Sequence, residues 1–168
     1  MAVVTTSGSR IMTGLTSGVP VLADPGEGGG RVKKWCETIE TSAADSMTST
    51  YHMARLPSSA RIFGSSKISH DALGATTATL GIGLFNTGSR TDFTNSATAL
   101  NTGIVASTAG DKNLIADRAN WGKRLWEYTT ATTDPKCDMD VKITIESATA
   151  HLSAGAGTIT TEIDFAFD

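Results

Sequence analysis

Apolar and polar residues alternate along most of the chain, a two-residue period typical of strands that bury one face. The clearest segment runs from Asp138 to Glu146, where every second residue is apolar, namely Met139, Val141, Ile143 and Ile145. Turn residues separate three strands predicted around the stretch Tyr51–Phe85, which are Met47–Leu56, Ala60–Ser69 and Thr76–Phe85. In the third of these, Leu80, Ile82 and Leu84 point to one side, and Gly81 and Gly83 to the other.

The rest of the chain adds segments of the same kind. Strands are predicted over Arg31–Thr41, Leu125–Thr129 and Thr158–Phe167, with a short strand around Ala97–Leu100. The last strand is expected to turn its large apolar residues inward, namely Ile159, Ile163, Phe165 and Phe167. Helical spacing occurs only in Asn113–Arg124, where Gly122 limits it to one or two turns.

These elements predict an all-β fold, a β-sandwich or jelly roll of seven to nine short antiparallel strands with an extended N-terminal arm. The 168 residues form one domain, with the arm over residues 1–30 and the sandwich body over residues 31–168. Only 18% of the residues are charged, and Ser, Thr, Gly and Ala are abundant. Such a composition favours short strands with many turns over a bundle of long helices.

The N-terminal arm has no helical period, and a glycine-rich hinge at residues 26–30 separates it from the body. Fully extended, it would span on the order of 100 Å. Two interpretations are equally favoured: a disordered tail, or a segment that orders on a neighbouring subunit by strand addition. The second rests on apolar residues that a solvated tail does not need, namely Val3, Val4, Ile11, Met12, Leu15, Val19, Val21 and Leu22.

The net charge of −3 and a pI of about 5.6 do not fit nucleic-acid binding, which requires clustered Lys and Arg. No signal peptide and no apolar run long enough to span a bilayer is present, so synthesis in a reducing cytoplasm and no membrane partner are expected. Cys36 and Cys137 have no metal-ligand spacing. Each is interpreted as a buried small residue, although a disulfide between neighbouring strands stays open.

Candidate chemistry is sparse. His52, His70 and His151 lie in separate segments without metal-ligand spacing and are interpreted as packing or surface residues. Asp134, Asp138 and Asp140 surround a turn, but their spacing does not match the twelve-residue calcium loop, so a solvated turn is favoured. No nucleophile is paired with a base, and no cofactor motif occurs, so the chain is predicted not to be an enzyme and to need no cofactor or metal.

Three further expectations concern packing. The two glycines of Gly81-Ile82-Gly83 are interpreted as places of close approach to a neighbouring sheet or subunit. A salt bridge between Arg55 and Asp71 across the central strands is considered. Trp35, Trp121 and Trp126 are expected to pack in the core, with an exposed sugar-binding platform as the alternative.

The order of several short motifs resembles a family of small structural proteins of tailed bacteriophages, encoded near the major capsid protein. The motifs are Arg55-Leu56-Pro57, Ala60-Arg61-Ile62, Ser69-His70-Asp71-Ala72-Leu73, Leu80-Gly81-Ile82-Gly83-Leu84, Leu125-Trp126-Glu127 and Asp140-Val141-Lys142-Ile143-Thr144. They cover about residues 45–147. Family members often carry an acidic residue where this chain has Gly81, whereas Phe85 keeps their aromatic position.

The resemblance implies a virion protein of the capsid decoration (cement) type. Such a protein would bind the capsid exterior, contact the major capsid protein, clamp neighbouring capsomers and form a homotrimer. The apolar arm residues named above, together with Trp35, are the predicted capsid- or subunit-binding set. The alternatives are another virion part (neck, tail or fibre base) and a carbohydrate-binding jelly-roll module, and a host glycan partner would be compatible with decoration.

Overall fold

The computed structural model describes residues 5–7, 32–74, 78–147 and 157–167. These residues contain ten strands and two short 3₁₀ helices. The strands are β1 (Thr5–Ser7), β2 (Lys33–Glu40), β3 (Thr50–Pro57), β4 (Arg61–Ile62), β5 (Lys67–His70), β6 (Thr79–Asn86), β7 (Ser96–Val105), β8 (Gly110–Asn113), β9 (Asp138–Ser147) and β10 (Thr158–Ala166). The 3₁₀ helices are Arg118–Asn120 and Leu125–Tyr128.

The strands form two sheets. The β9 sheet has the order β1-β3-β9-β6-β7, and the β10 sheet has the order β2-β10-β5-β8, with β4 paired to the end of β10. Every pairing between named strands is antiparallel except that of β1 with β3, which is parallel. The β-sandwich that the alternating pattern predicts is therefore confirmed.

The core lies between the two sheets and is built from the predicted inward faces. Met139, Val141, Ile143 and Ile145 of β9 are fully buried. So are Leu80, Ile82 and Leu84 of β6, and Ile159 and Ile163 of β10. Phe165 also packs inside, but Phe167 is 37% exposed because β10 ends at Ala166 and Phe167 lies beyond the sandwich edge. The predicted inward position of Phe167 is therefore wrong.

Two predicted elements differ from the structure. The segment Ala60–Ser69 is two strands, β4 and β5, because a turn at 63–66 interrupts it, with the Ser66 amide donating to the Phe63 carbonyl at 3.0 Å. The segment Leu125–Thr129 is a 3₁₀ helix over Leu125–Tyr128, in which the Thr129 amide donates to the Trp126 carbonyl at 3.0 Å. Both segments are short, and over so few residues an apolar–polar alternation does not distinguish a strand from a turn.

Gly83 makes the close approach that its position in β6 predicts, but the neighbour is β7 of the same sheet. A Cβ atom on Gly83 would lie 2.0 Å from the Ser96 carbonyl oxygen and 2.6 Å from the Ala97 carbonyl carbon. The register between β6 and β7 shifts here, since Ile82 pairs with Asn101 whereas Leu84 pairs with Ser96. The extra residues of β7 bulge over the glycine.

Candidate interaction surfaces

The predicted binding residues of the arm, Val3, Val4, Ile11, Met12, Leu15, Val19, Val21 and Leu22, lie outside the described residues. Of the arm, the structure describes only β1, whose residues Thr5, Thr6 and Ser7 pair with Thr50, Tyr51 and His52. The β3 edge of the β9 sheet thus accepts an added strand from the N-terminal segment. In strand addition the affinity comes from backbone hydrogen bonds, and few side-chain contacts are required.

Trp35 is the one predicted binding residue whose side chain the structure describes. It lies on β2, is half-buried, and packs against the core. Its indole Nε1 donates to the Met53 carbonyl at 2.9 Å. Because Met53 belongs to β3, Trp35 joins the edges of the two sheets, which matches the core-packing expectation for this tryptophan.

A cluster of charged side chains lies on the outer side of the β9 sheet, around Asp140. The Arg55 guanidinium donates to both carboxylate oxygens, through Nε at 2.8 Å and Nη2 at 3.4 Å. His52 Nε2 lies 3.1 Å from Asp140 Oδ1, and Lys142 Nζ lies 3.7 Å from Oδ2. Asp71, which the sequence allowed as a partner of Arg55, instead accepts the Thr158 amide at 2.9 Å, so the salt bridge considered between Arg55 and Asp71 is not formed.

Asp140 is 3% exposed, so its carboxylate is largely shielded from water. Burial raises the pKa of Asp140, but hydrogen bonds from His52 and Arg55 outweigh burial, and the net effect lowers the pKa below its usual 3.8. Removing one member of such a buried pair typically costs about 3–5 kcal/mol. The cluster therefore fixes the register of β3 against β9, where Arg55 and Asp140 are directly paired.

Sequence reasoning missed this cluster. The signal was present in the outward positions of β9, because Asp140 and Lys142 alternate with buried residues and are spaced to share one face. What the sequence lacks is the register that brings His52 and Arg55 of β3 opposite them.

The acidic set considered for calcium is dispersed among separate partners. Asp134 Oδ1 accepts the Ser58 hydroxyl at 2.5 Å and the Lys136 amide at 2.9 Å, and Asp140 is held by the cluster above. Asp138 is exposed. Among the described residues no group of three His, Cys, Asp or Glu could hold a metal ion. A polar cleft of about 410 Å³ lies beside this turn, lined by Pro57, Ser58, Ser59, Arg90, Asp134, Lys136, Cys137 and Asp138.

The two cysteines are free thiols in different environments, so the disulfide left open by the sequence is not formed. Cys36 is half-buried on β2, and Cys137 is buried beside β9. Burial and the nearby Asp92 carboxylate raise the pKa of Cys137. Of the histidines, His52 and His70 are buried, as the packing interpretation expects, and His151 lies outside the described residues.

The outer face of the β10 sheet carries polar side chains that bond to each other across β2 and β10. Thr38 and Thr160 share a hydroxyl hydrogen bond of 3.0 Å across β2 and β10. Beside them Thr158 donates to Glu40 at 2.9 Å, and Lys34 lies 3.0 Å from Glu162. This face therefore combines the Thr hydroxyls that the composition predicts with charged side chains in ion pairs. Exposed ion pairs of this kind contribute little stability.

Large apolar side chains are exposed at few places in the described part of the chain. They are Val32, Met47, Val105, Trp121 and Phe167. Trp121, at 39% exposure, lies flat against Gly64, where a Cβ atom would be 2.0 Å from its ring. The expected core placement is therefore wrong for Trp121, because it lies in the turn after Asn120 and not in a strand. Trp126 is partly buried and packs against the core.

Within the described residues, no helix is long and apolar enough to cross a membrane. No protein-family model matches the chain, and no curated protein sequence matches it significantly. Solved structures match it in fold. A chain in the capsid of Ralstonia phage GP4 is similar with a TM-score of 0.55 and 15% identity, covering 89% of each of the two chains.

A chain in the capsid asymmetric unit of cyanophage Pam1 is similar at 17% identity, covering 91% of this chain and 96% of that one, with a TM-score of 0.48. Identities this low establish a similarity of fold and nothing finer, and the GP4 comparison is the one that carries it. Since that similarity extends over nearly the full length of both chains, the β-sandwich described above is a fold that also occurs in a chain of the Ralstonia phage GP4 capsid.

Proposed function

We propose that this chain is a structural protein of a tailed-phage virion, and specifically a decoration protein that binds the outer surface of the capsid. The observation that carries the proposal is the fold shared with a chain of the Ralstonia phage GP4 capsid over 89% of both chains. The motif order between residues 45 and 147 supports the same conclusion independently. In this role the protein clamps neighbouring capsomers by binding and catalyses no reaction.

The attachment combines an N-terminal arm with a polar body. The apolar arm residues, together with Trp35, contact the major capsid protein or a neighbouring copy within a homotrimer. The pairing of Thr5–Ser7 with β3 supports this role, because a strand of the N-terminal segment is added there to the edge of the same chain's sheet. Each contact contributes a modest binding free energy, and the high overall avidity comes from many such contacts made across the shell.

The test uses the full-length protein and shells of the phage whose genome encodes it, purified without this protein. Co-sedimentation measures binding, and electron cryo-microscopy of reconstituted shells locates the bound copies. Many copies distributed over the outer surface are expected. A single ring at one vertex would assign the protein to the neck or tail instead. If the protein did not bind the shells but was retained specifically on a glycan array, the carbohydrate-binding module would be favoured.

A matched pair of chains then tests the arm. A chain that begins at residue 31 is expected to keep the far-ultraviolet circular dichroism of the full-length sandwich but to lose shell binding. A full-length chain with Thr5→Ser and Thr6→Ser, which keeps the backbone donors and acceptors of β1, is the control and is expected to bind normally. Full binding by the shortened chain would remove the arm from the proposal.

A further inference from the structure

Glu37 is a buried carboxylate that the described part of the fold leaves almost without a partner. It lies on β2 and is 4% exposed. No described residue donates a hydrogen bond to Oε2. Within the same part of the chain, Oε1 accepts only the Thr38 amide, at 3.4 Å, which is long for such a bond. Because a buried charge without hydrogen bonds is costly, we expect a donor from outside the described residues to complete this group.

A second polar side chain without a partner lies directly opposite Glu37 on β10. Thr161 is fully buried, and its hydroxyl bonds to no described residue. The two residues are paired across the strands, so their Cβ atoms lie about 5 Å apart. The nearest basic residue on the same face of β2 is Lys33, four positions away, and its Nζ lies 5.0 Å from the Phe167 ring centroid. The carboxylate and the hydroxyl are therefore available to one and the same donor.

The Glu37 carboxylate lies at a sheet edge whose backbone groups are also unpaired. β2 is an edge strand of the β10 sheet, and no described strand pairs with its outer side. The Thr41 amide donates to the Gly157 carbonyl at 2.8 Å, which continues the ladder between β2 and β10. Since only every second residue of an edge strand bonds to its neighbour, the backbone groups that point away from β10 are those of Lys34, Cys36, Thr38 and Glu40. The Thr38 amide that reaches Glu37 is one of these, which places the carboxylate at the open edge.

The N-terminal segment begins on the same side of the sandwich. The Trp35 indole of β2 donates to the Met53 carbonyl of β3 at 2.9 Å, so the edges of the two sheets are adjacent there. β1 ends at Ser7, which pairs with His52, the residue before Met53. Arg10 follows Ser7 by three residues, so the Cα atoms of these two residues are at most about 11 Å apart. Arg10 itself lies outside the described residues, and it is the one basic residue in the sequence 1–30.

We propose that the edge of β2 is the binding site for the arm of the same chain, and that the Arg10 guanidinium binds the Glu37 carboxylate. A guanidinium suits this site because it donates two parallel hydrogen bonds to one carboxylate and keeps further N–H groups for the adjacent Thr161 hydroxyl. The attachment fixes the start of the apolar arm segment beside Trp35. It goes beyond the decoration role, and its test needs no shell.

Trypsin reports the state of Arg10 directly, because the first tryptic site of the sequence follows this residue. The folded full-length protein is digested, and release of peptide 1–10 is followed by mass spectrometry. Glu37→Gln removes the charge at nearly constant volume and is expected to speed this cleavage at least tenfold. Glu40→Gln is the matched control, since it makes the same change at an exposed position of the same strand. The control is expected to be cleaved at the rate of the unmodified protein.

Unfolding in urea gives a second readout that does not depend on trypsin. Arg10→Gln is expected to lower the urea midpoint of the unmodified protein and to leave that of Glu37→Gln unchanged, because the two groups act as a pair. If Glu37 has no partner, Glu37→Gln raises the midpoint by removing a buried charge and leaves the cleavage after Arg10 unchanged. That result would overturn the proposal.

Two further outcomes complete the test. If Glu37→Gln does not fold, Arg10→Gln decides alone, and an unchanged midpoint for this variant overturns the proposal. If Arg10 is protected from trypsin only at high protein concentration, the arm belongs to a neighbouring copy, and the attachment within one chain is wrong. Neither outcome bears on shell binding, so the decoration role stands or falls separately.

Discussion

Replacing Gly83 by alanine should destabilise the sandwich far more than the same change elsewhere on the sheets. The new Cβ atom would meet the Ser96 carbonyl oxygen at 2.0 Å and the Ala97 carbonyl carbon at 2.6 Å. Both contacts are backbone, so no side chain can rotate away, and β7 must separate from β6. Overpacking of a core typically costs about 1–3 kcal/mol, and the loss of β6–β7 pairing places this variant at about 3 kcal/mol.

Gly110→Ala is the matched control. Gly110 begins β8 at the edge of the β10 sheet, and a Cβ atom there would meet nothing within 4 Å. Because its backbone lies outside the region that requires glycine, this substitution is expected to change stability by less than about 1 kcal/mol, and in the stabilising direction through the unfolded state.

Urea denaturation at neutral pH and thermal unfolding measure the difference. A loss of about 3 kcal/mol corresponds to a Tm lower by about 6–12 °C for a domain of this size. The urea midpoint should fall, whereas the slope of the transition should not change. If Gly83→Ala and Gly110→Ala had the same midpoint, the bulge of β7 over β6 would not be a close contact in solution, and the reasoning would fail.

Three further outcomes are expected. Asp140→Asn should lower the free energy of unfolding by about 3 kcal/mol at pH 7. The pKa of Asp140 in the folded protein is lowered from 3.8, so the stabilisation by its carboxylate should be intact above pH 3.8 and should be lost as the pH falls through the lowered pKa. Urea titrations of the unmodified protein at a series of pH values measure this loss. Tyr51→Phe should cost about 1–3 kcal/mol, because the buried Tyr51 hydroxyl donates to Asp45 Oδ2 at 2.6 Å, and an equally stable variant would show that this bond contributes nothing. A thiol reagent should modify Cys36 faster than Cys137, whose pKa is raised by burial, and equal rates for the two thiols in the folded protein would contradict their placement.

The strands with a clean two-residue period were predictable from the sequence because period and burial are linked directly. In β9 the residues Met139, Val141, Ile143 and Ile145 are each fully buried, as their spacing requires. The same holds for the alternation at Leu80, Ile82 and Leu84. These segments need no knowledge of their partners, since the inward face of a sandwich strand must be apolar whichever strand lies beside it.

The pairing of strands was not predictable, because it depends on segments that are distant in sequence. β3 lies beside β9, and β10 lies beside β2, so the paired residues are roughly 80 to 130 positions apart in the sequence. The Asp140 cluster and the Arg61–Arg124 bridge follow from these pairings alone. No local sequence pattern indicates which charged residues will lie opposite each other on paired strands.

The 3₁₀ helix over Leu125–Tyr128 shows how a local pattern misleads when its partners are unknown. The sequence Leu-Trp-Glu-Tyr has the aromatic content of a strand, but Leu125 is fully buried while its amide donates to the Ala60 carbonyl at 2.9 Å. That hydrogen bond and a second one, from the Trp126 amide to the Ser58 carbonyl at 3.2 Å, hold the segment beside the residues that precede β4. The chain is then free to close a short turn on Arg124, with Glu127 accepting the Arg124 amide at 2.6 Å.

The same local turn determines where the Trp121 side chain lies. A regular strand at 125–129 would have continued the pairing begun at the Arg61–Arg124 bridge and placed alternate side chains on the two faces of the sheet. The 3₁₀ helix ends the pairing after a single bridge, and the preceding turn is free to lay Trp121 over Gly64. The departure from the strand pattern and the exposed tryptophan therefore have one cause.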